Sequence, residues 1–274
     1  MRAKKKNTST RDAATHPHIV PVLLKALRVF AAIARGETEP TAKGLAVTLG
    51  ISPTTCYRIL QSFLAGGWLR AGTGGTFGLS LALVPLMHPL LRHELLIDTI
   101  REPLTALART TGMTTKLSIR QGDSAVTVFV ASSPRPTAIS SQVGAVFPLA
   151  LGSSGAAILA TLPEAEAARI LDAAPAEAWR YQKRAAADRR VQECRRTGCC
   201  FDTGSYQPQL HTVSTTVQAA RHGLLGSITL LGFPHDFAPG LRPALLRELK
   251  FTAGGCVRLL ESQGLTGDLM SRDT

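Results

Sequence analysis

The strongest hydrophobic pattern in the chain is a pair of apolar stripes between residues 41 and 64. The first stripe consists of Ala42, Leu45, Ala46 and Leu49. The second consists of Cys56, Ile59, Leu60, Phe63 and Leu64. Both follow the i, i+3, i+4 spacing of a helix that buries one face. The pattern therefore predicts two short helices that are joined by a tight turn.

The residues that flank the two stripes are of the kinds that begin and end helices. Thr41 precedes the first stripe as an N-cap, and Gly50 follows it at the position of a C-cap. Ser52 then offers a second N-cap, with Pro53 at the first helical position. Helix, tight turn and helix together predict a helix-turn-helix unit.

The second helix of this unit presents a polar face opposite its apolar stripe. The candidate DNA-binding residues there are Ser52, Thr54, Thr55, Tyr57, Arg58 and Gln61. Donors and acceptors of this kind can contact base edges in the major groove of DNA. Arg58 is the best candidate for a base or phosphate contact because a guanidinium carries five donors. The alternative is an ordinary pair of packed helices with a polar outer face.

Short elements before and after the two helices extend this unit. Apolar residues recur at helical spacing between 22 and 34, namely at Leu23, Leu27, Phe30 and either Ile33 or Ala34. They predict a first helix that packs behind the other two. Apolar runs at 68–70 and 76–79 flank a glycine-rich turn, which is typical of a hairpin. The whole therefore predicts a winged helix-turn-helix, in which Lys43 and Arg70 are candidates for contacts to the DNA backbone.

The positive charge of the chain is concentrated in the same region. The net charge of the 274 residues is +12. Residues 1–80 hold 11 Lys or Arg and 3 Asp or Glu, which gives +8, and residues 81–274 hold the remaining +4. This asymmetry suits contact with DNA phosphates. A basic surface also suits a membrane or an acidic protein, and it is the helix-turn-helix pattern that favours DNA.

The sequence disfavours several other classes of protein. Residues 1–18 are basic but contain no apolar segment, so they do not resemble a secretory signal and predict either a disordered basic arm or a solvated tail without a role. No apolar run is long enough to span a bilayer. The five cysteines lack CxxC spacing and no cofactor motif is present. We therefore expect no metal, no cofactor and a reducing, cytoplasmic environment.

The rest of the chain predicts an α+β domain behind a linker. The linker contains Pro85 and Pro89, which should kink or divide its helix. Another helix is predicted at 98–111. Strands are predicted at 115–119, 126–131, 138–143, 213–217 and 224–231. Further helices are predicted at 153–160, 164–173, 185–197, where the helix should be surface-exposed, and 241–262. The predicted boundaries are an arm at 1–18, the winged helix-turn-helix at 19–80, a linker helix at 81–97, the second domain at 98–264 and a tail at 265–274.

Several stretches resemble the IclR-type bacterial transcriptional regulators. They are KALRVFAAIA, TAKGLAVTLGISPTTCYRILQSFLAGGWL, TFGLS, PLTALARTTG, the segment 153–160, GCCFDTGSY and the strands near 213–217 and 225–230. The resemblance implies a winged helix-turn-helix, a linker helix and a GAF-like effector-binding domain with a curved antiparallel sheet. It also implies a dimer or dimer of dimers that binds a palindromic operator in double-stranded DNA and senses a small organic acid.

The sequence departs from the family pattern at several positions. Gly78 stands where the wing of the family usually carries a basic residue. Ala156 replaces a lysine, Thr212 a cysteine and Thr216 a proline. The last three changes fall in the region of the effector pocket, so the resemblance does not supply the identity of the effector.

A candidate effector site follows from the chemistry that a small anion requires. Amide groups at a helix start, together with hydroxyl groups, would hold its carboxylate. The candidates at the helix start are Ser153, Ser154, Gly155 and Ala156, and those on one face of a strand are Thr212, Ser214 and Thr216. Asp202 would accept a ligand hydroxyl or hold a neighbour, and the carbon skeleton would lie against Leu117 and Ile119. The alternatives are tight packing for Gly155 and a solvent-facing sheet surface for the strand residues.

Two other functions remain as alternatives to a ligand-responsive DNA-binding regulator. One is an enzyme whose basic N-terminal segment only docks it, and the other is a protein-interaction module. An enzyme would need a nucleophile with a base or a metal cluster, and the sequence contains no such arrangement that we can identify. We therefore expect that the protein is not an enzyme, whereas the sequence does not distinguish a repressor from an activator.

Overall fold

The computed structural model describes residues 20–36, 38–205 and 208–262, without the side chains of 87–93. The predicted arm at 1–18 and the predicted tail at 265–274 lie outside the described residues. The chain divides into two compact units, with the division between Leu91 and Arg92. None of the described helices is both long and apolar enough to cross a membrane.

The first unit is a three-helix arrangement followed by a two-stranded hairpin. Its elements are α1 (Pro21–Arg35), α2 (Ala42–Leu49), α3 (Pro53–Ala65), β1 (Leu69–Ala71) and β2 (Phe77–Leu79). The hairpin is antiparallel. Leu45, Cys56 and Leu60 are fully buried in the shared core. The winged helix-turn-helix predicted from the sequence is therefore confirmed.

The predicted caps hold the ends of α2 and α3. Thr41 Oγ1 accepts a hydrogen bond from the Gly44 amide at 3.1 Å, and Ser52 Oγ accepts one from the Thr55 amide at 3.3 Å. Gly50 ends α2 with φ +63°, a left-handed conformation that favours glycine. These local bonds fix the tight turn between the two helices.

The burial of α1 differs from the prediction. Its buried contacts begin near Ala26 and are centred on Val29 and Ala32. Leu23 and Leu27 are 57% and 53% exposed, so α1 packs behind the other two helices as predicted but not through these two residues of the apolar repeat. Helical spacing does not reveal where along a helix the packing partner begins, and α2 and α3 cover only the later part of α1.

The predicted division of the linker is also wrong, because one helix, α4, extends from Val84 to Thr111. Pro85 lies in the first turn of α4. Backbone N–H groups have no intrahelical partner there, so the N–H group that proline lacks costs the helix no hydrogen bond. Pro103 lies inside the helix, next to the fully buried Leu104. An interior proline costs about 3 kcal/mol, and burial of the apolar stripe that includes Ile100 and Leu104 offsets this cost.

The second unit is built on one six-stranded antiparallel sheet with the order β5-β4-β3-β8-β7-β6. The strands are β3 (Thr114–Gln121), β4 (Ser124–Ala131), β5 (Val146–Pro148), β6 (Cys199–Thr203), β7 (His211–Ala219) and β8 (Leu224–Gly232). The helices are α5 (Gly152–Leu159), α6 (Glu164–Asp172), α7 (Arg184–Thr197) and α8 (Arg242–Ser262). The predicted α+β domain with an antiparallel, GAF-like sheet is confirmed.

Helices cover both faces of this sheet. One face packs against α4 and α8 in a core that includes Leu117, Ile228 and Leu230. The other face packs against α5, with α6 and α7 in the same apolar cluster as Ala125 and Cys200. Because both faces are covered, polar groups on the sheet must find partners inside the protein.

The predicted strand at 138–143 is absent, and β5 begins at Val146 instead. Gly144 has φ +85° and turns the chain just before this strand. Backbone pairing with β4 starts where the Thr127 amide donates to the Ala145 carbonyl at 2.9 Å. The carbonyl of Ile139 accepts a hydrogen bond from Thr114 Oγ1 at 2.6 Å, so a side chain fixes this segment and no strand ladder is formed there.

The prediction that the helix at 185–197 is surface-exposed is wrong for one of its faces. The buried side chains on α7 are Ala187, Arg190, Val191 and Cys194. Their spacing is that of a helix with one covered face. The sequence did not indicate this apolar face because many residues of the segment are charged.

Candidate DNA-contacting surface and effector site

The helix α3 presents a polar outer face in the first unit. Among the candidate residues, Thr54, Tyr57, Arg58 and Gln61 are exposed, as is Ser52 at the helix start, whereas Thr55 is half-buried. Ser52 Oγ donates to Thr55 Oγ1 at 2.8 Å, so these two hydroxyl groups already serve the helix start. The side chains left free for a base edge or a phosphate are therefore led by Arg58 and Gln61.

In the wing, Arg70 lies opposite Gly78, the position at which the family usually has a basic residue. Arg70 and Gly78 are partners across the hairpin. A Cβ atom on Gly78 would lie 3.3 Å from the Arg70 guanidinium carbon, so the missing side chain leaves room for that guanidinium. Arg70 and Lys43 are both exposed, as contacts to a DNA backbone require.

The candidate residues of α5 and β7 are brought together in the second unit, and Thr229 of β8 joins them. Ser153 Oγ lies 2.6 Å from Thr212 Oγ1 and 2.8 Å from Ser214 Oγ. Ser154 Oγ lies 2.6 Å from Thr229 Oγ1, which is 2.8 Å from Ser214 Oγ. We call these five side chains the hydroxyl cluster. It lies between α5 and the sheet, so the strand residues do not form a solvent-facing surface.

Three other candidate residues, Gly155, Ala156 and Thr216, take part in the close packing of α5. A Cβ atom on Gly155 would lie 2.0 Å from the Leu149 carbonyl oxygen, so a glycine is needed for this approach. Ala156 is buried in the apolar cluster of α5. Thr216 Oγ1 donates to the Ala157 carbonyl at 2.8 Å. These three residues therefore hold α5 against its surroundings.

Asp202 lies beside the start of α5 and faces a buried arginine. Arg190 Nη1 is 3.3 Å from Asp202 Oδ2, and both side chains are buried. Asp202 Oδ1 accepts a hydrogen bond from the Ser205 amide at 2.8 Å. A Cβ atom on Gly152 would lie 3.7 Å from Asp202 Oδ2. The carboxylate thus lies near the positive end of the helix dipole, and Asp202 is also the cross-strand partner of Thr212.

Leu117 and Ile119 are not brought together with these residues. Leu117 is fully buried in the core that α4 and α8 cover, and Ile119 packs against the same core. Successive side chains of a strand point to opposite faces, so Lys116 and Ser118 of β3 face α5. An alternating pattern identifies two sets of residues but does not show which set faces which helix.

The sequence interpretation missed Lys116, Ser227 and Thr229 on the face that α5 covers. Lys116 is paired with Thr229, and Ser118 with Ser227. The signal was present, because Ser227 and Thr229 alternate on their strand as Thr212 and Ser214 do. Arg190 was missed as well, since a buried arginine on a charged helix has no distinct pattern. None of the described residues form a cluster of three or more His, Cys, Asp or Glu side chains that suits a metal ion.

The fold and the two sites define a class of protein. A winged helix-turn-helix with an exposed polar helix, followed in the same chain by a separate sheet domain, is the architecture of a DNA-binding transcriptional regulator with an effector domain. The model of the IclR helix-turn-helix domain matches residues 22–72, and the model of the bacterial transcriptional regulator IclR C-terminal domain matches residues 88–255. The chain belongs to the IclR family of bacterial transcriptional regulators.

Solved structures of this family share the fold. IclR of Thermotoga maritima is 18% identical, with a TM-score of 0.69 over 88% of this chain and 99% of that chain. An IclR transcriptional regulator from Alicyclobacillus acidocaldarius is 23% identical, with a TM-score of 0.66 over 89% and 100%. An IclR homolog from Microbacterium hydrocarbonoxydans, complexed with 4-hydroxybenzoate, is 16% identical, with a TM-score of 0.68 over 88% and 100%. No curated protein matches the chain.

Proposed function

We propose that this protein is a cytoplasmic, non-enzymatic regulator that binds a palindromic operator as a dimer or dimer of dimers and responds to a small organic acid. The observation that carries the DNA-binding part is the outer face of α3. Its exposed polar side chains include Arg58 and Gln61, whereas Cys56, Ile59 and Leu60 of the opposite face are buried. A helix with this division of faces can enter a major groove with its donors directed at base edges.

An exposed apolar surface on α1 supports the proposed dimer. Val22, Leu23, Leu24 and Leu27 are each at least 46% exposed. Apolar side chains grouped on one helix in this way are typical of a surface that another chain covers. Two-fold symmetry of the protein would match two-fold symmetry of the operator, because one recognition helix covers only a half-site.

Polar groups between α5 and the sheet support the proposed effector site. The hydroxyl cluster, Asp202 and the adjacent side chains of β3 and β8 offer donors and acceptors in a covered region, which suits a small polar ligand. A structurally similar IclR homolog was solved with 4-hydroxybenzoate, so hydroxylated and aromatic acids are the first compounds to examine. Leu117 and Ile119 face the core that α4 and α8 cover, so they are not part of this proposed site.

Selection of bound fragments from a pool of genomic DNA tests this proposal. The expected result is recovery of fragments that share an inverted repeat, with affinity that falls as the salt concentration rises. Addition of hydroxy acids and aromatic acids should then shift the DNA affinity, with a coupling free energy of about 1–3 kcal/mol. Recovery of no preferred fragment would contradict the operator, and a lack of response to every acid would contradict only the effector class.

A further inference from the structure

Lys116 is a lysine placed inside the effector domain. It lies on β3 between the strands β4 and β8, on the face that α5 covers. Its Nζ lies 4.5 Å from the centre of the Phe147 ring. Burial lowers the pKa of Lys116 to about 8, so the ammonium group is costly to keep there without a partner.

Lys116 makes no ion pair with any acidic side chain that the structure describes. Among the residues that the structure describes, no carboxylate lies within ion-pair distance of its Nζ, and the contact that it makes is to the face of Phe147. Two acidic side chains on the same side of the sheet already have partners, because Arg190 faces Asp202 at 3.3 Å and Arg120 pairs with Glu166 at 2.5 Å. Lys116 is half-buried, and an ammonium group whose contact is to an aromatic ring retains unused hydrogen-bond donors.

A buried hydroxyl group without a hydrogen-bond partner lies on the same face. Ser227 is fully buried, and its Oγ has no hydrogen-bond partner among the described atoms. It lies two residues from Thr229, the cross-strand partner of Lys116, so Ser227 and Lys116 are diagonal neighbours on one face of adjacent strands. Buried polar groups without a partner are rare in folded proteins, and this one lies diagonally across from Lys116.

Backbone amides at the start of α5 could bind an acid group, but the neighbouring side chains make this position less suitable for one. Asp202 already lies beside Gly152 at this positive helix end, and a second carboxylate there would be repelled by the first. The hydroxyl groups of Ser153 and Ser154 are engaged within the hydroxyl cluster. Lys116 offers the opposite situation, because it supplies a positive charge and forms no ion pair with the carboxylates that the structure describes.

We propose that Lys116 binds the acid group of the effector and that Ser227 donates or accepts a hydrogen bond beside it. This inference rests on the proposed function, in which the domain senses a small organic acid. The effector class that fits is a singly charged carboxylate, because one ammonium group balances one negative charge. A phosphate dianion would leave a buried charge without compensation. Lys116 thereby sets the specificity of the site for acids over their neutral analogues.

Calorimetry with the full chain tests the role of Lys116. The probes are benzoate and glycolate, each compared with its neutral amide, benzamide or glycolamide, together with inorganic phosphate. The variants are Lys116→Met, which keeps the length of the side chain without its charge, Lys116→Arg, which keeps the charge, and Ser227→Ala. The matched control is Lys183→Met, which removes an exposed lysine from the same unit.

We expect that the parent binds at least one carboxylate more tightly than its amide and more tightly than phosphate. Lys116→Met should weaken carboxylate binding by about 10- to 100-fold, which is typical for loss of a charged hydrogen bond. The same variant should leave amide binding within about 2-fold, and Lys116→Arg should restore much of the preference for the acid. Ser227→Ala should reduce carboxylate affinity by a smaller factor, and Lys183→Met should change neither affinity.

The ratio of acid to amide affinity separates a binding role from a structural one. If Lys116→Met weakened both compounds of a pair equally, or neither, the proposed role of Lys116 would be overturned while acid sensing by the domain remained. Tighter binding of phosphate than of both carboxylates would overturn the assigned class. If the parent bound no carboxylate at all, the effector class of the proposed function would fail, and the role of Lys116 with it.

Discussion

Ser154 Oγ of α5 lies 2.6 Å from Thr229 Oγ1 of β8, although the two residues are 75 positions apart. Through Ser214 this contact continues to Ser153 and Thr212. The helix that forms one wall of the candidate effector site is therefore attached to two strands by hydroxyl groups. A change in this cluster would alter the stability of the domain as well as the shape of the site.

We predict that the middle of the hydroxyl cluster contributes more than its end. Ser214→Ala should lower the free energy of unfolding by about 1–3 kcal/mol, because two buried hydroxyl groups each lose a partner. Ser154→Ala should cost about 1 kcal/mol, since Thr229 keeps its contact with Ser214. Urea denaturation measures both values, with Ser140→Ala at an exposed serine as the control. Equal effects of the two substitutions would contradict the connectivity.

A methyl group on Gly155 should disrupt the packing of α5. Its Cβ would lie 2.0 Å from the Leu149 carbonyl oxygen, which is backbone and has little freedom to move. We expect Gly155→Ala to lower the free energy of unfolding by about 1–3 kcal/mol or more. The control is Gly254→Ala in α8, where the nearest atom belongs to the flexible Arg258 side chain at 3.5 Å. That substitution should be neutral or stabilising by up to about 1 kcal/mol, and similar losses at both glycines would refute the packing explanation.

Arg58 should contribute to operator recognition from the outer face of α3. Arg58→Ala is expected to weaken specific binding by about 1–3 kcal/mol if the side chain contacts a base. Arg70→Ala on the wing should instead weaken binding to all sequences and reduce the salt slope by about 1, as loss of a phosphate contact does. Fluorescence anisotropy with operator and unrelated DNA distinguishes the two. Arg247→Ala, which removes an exposed arginine from α8, should leave both affinities unchanged.

The apolar surface of α1 should be required for the dimer. Leu27 is 53% exposed, so Leu27→Asp should leave the isolated fold intact but place a charge in the interface, where it has no partner. Light scattering is expected to show a dimer or tetramer for the parent and a smaller species for the variant. Val143→Asp, at a loop residue that is 63% exposed, serves as the control. A parent protein that is monomeric on DNA would refute the proposed dimer. For a dimer, the two half-sites of the operator should lie about 10 bp apart, or a multiple of this distance.

The stability of the effector domain should depend on pH through Lys116. Burial lowers the pKa of Lys116 from its ordinary 10.5 to about 8, so the folded protein binds fewer protons than the unfolded chain between these values. The free energy of unfolding of the parent should therefore rise with pH in this window, relative to Lys116→Met. The slope is at most about 1.4 kcal/mol per pH unit. Urea denaturation at pH 7, 8.5 and 10 measures the difference, and a constant difference would contradict a lowered pKa.

The sequence alone determined those parts of the protein that depend on neighbouring residues. Thr41, Gly50 and Ser52 identified the ends of two helices because a cap bonds to a backbone group only a few positions away. The polar face of α3 followed from the 3.6-residue period of a helix. Such contacts are contained within a short segment, so the winged helix-turn-helix and its candidate DNA-binding residues could be predicted before the structure was known.

Only the tertiary structure decided which faces of distant segments meet. Lys116 and Leu117 are adjacent in sequence, yet one faces α5 and the other faces α4 and α8. The period of two separates the side chains of a strand into two sets, and because helices cover both faces of this sheet, hydrophobicity does not show which set faces which helix. The pairing of Lys116 with Thr229, and of Asp202 with Thr212, depends on strand register between segments far apart in the chain. That register is set by the packing of the whole domain, so these side chains come together only once the sheet has formed.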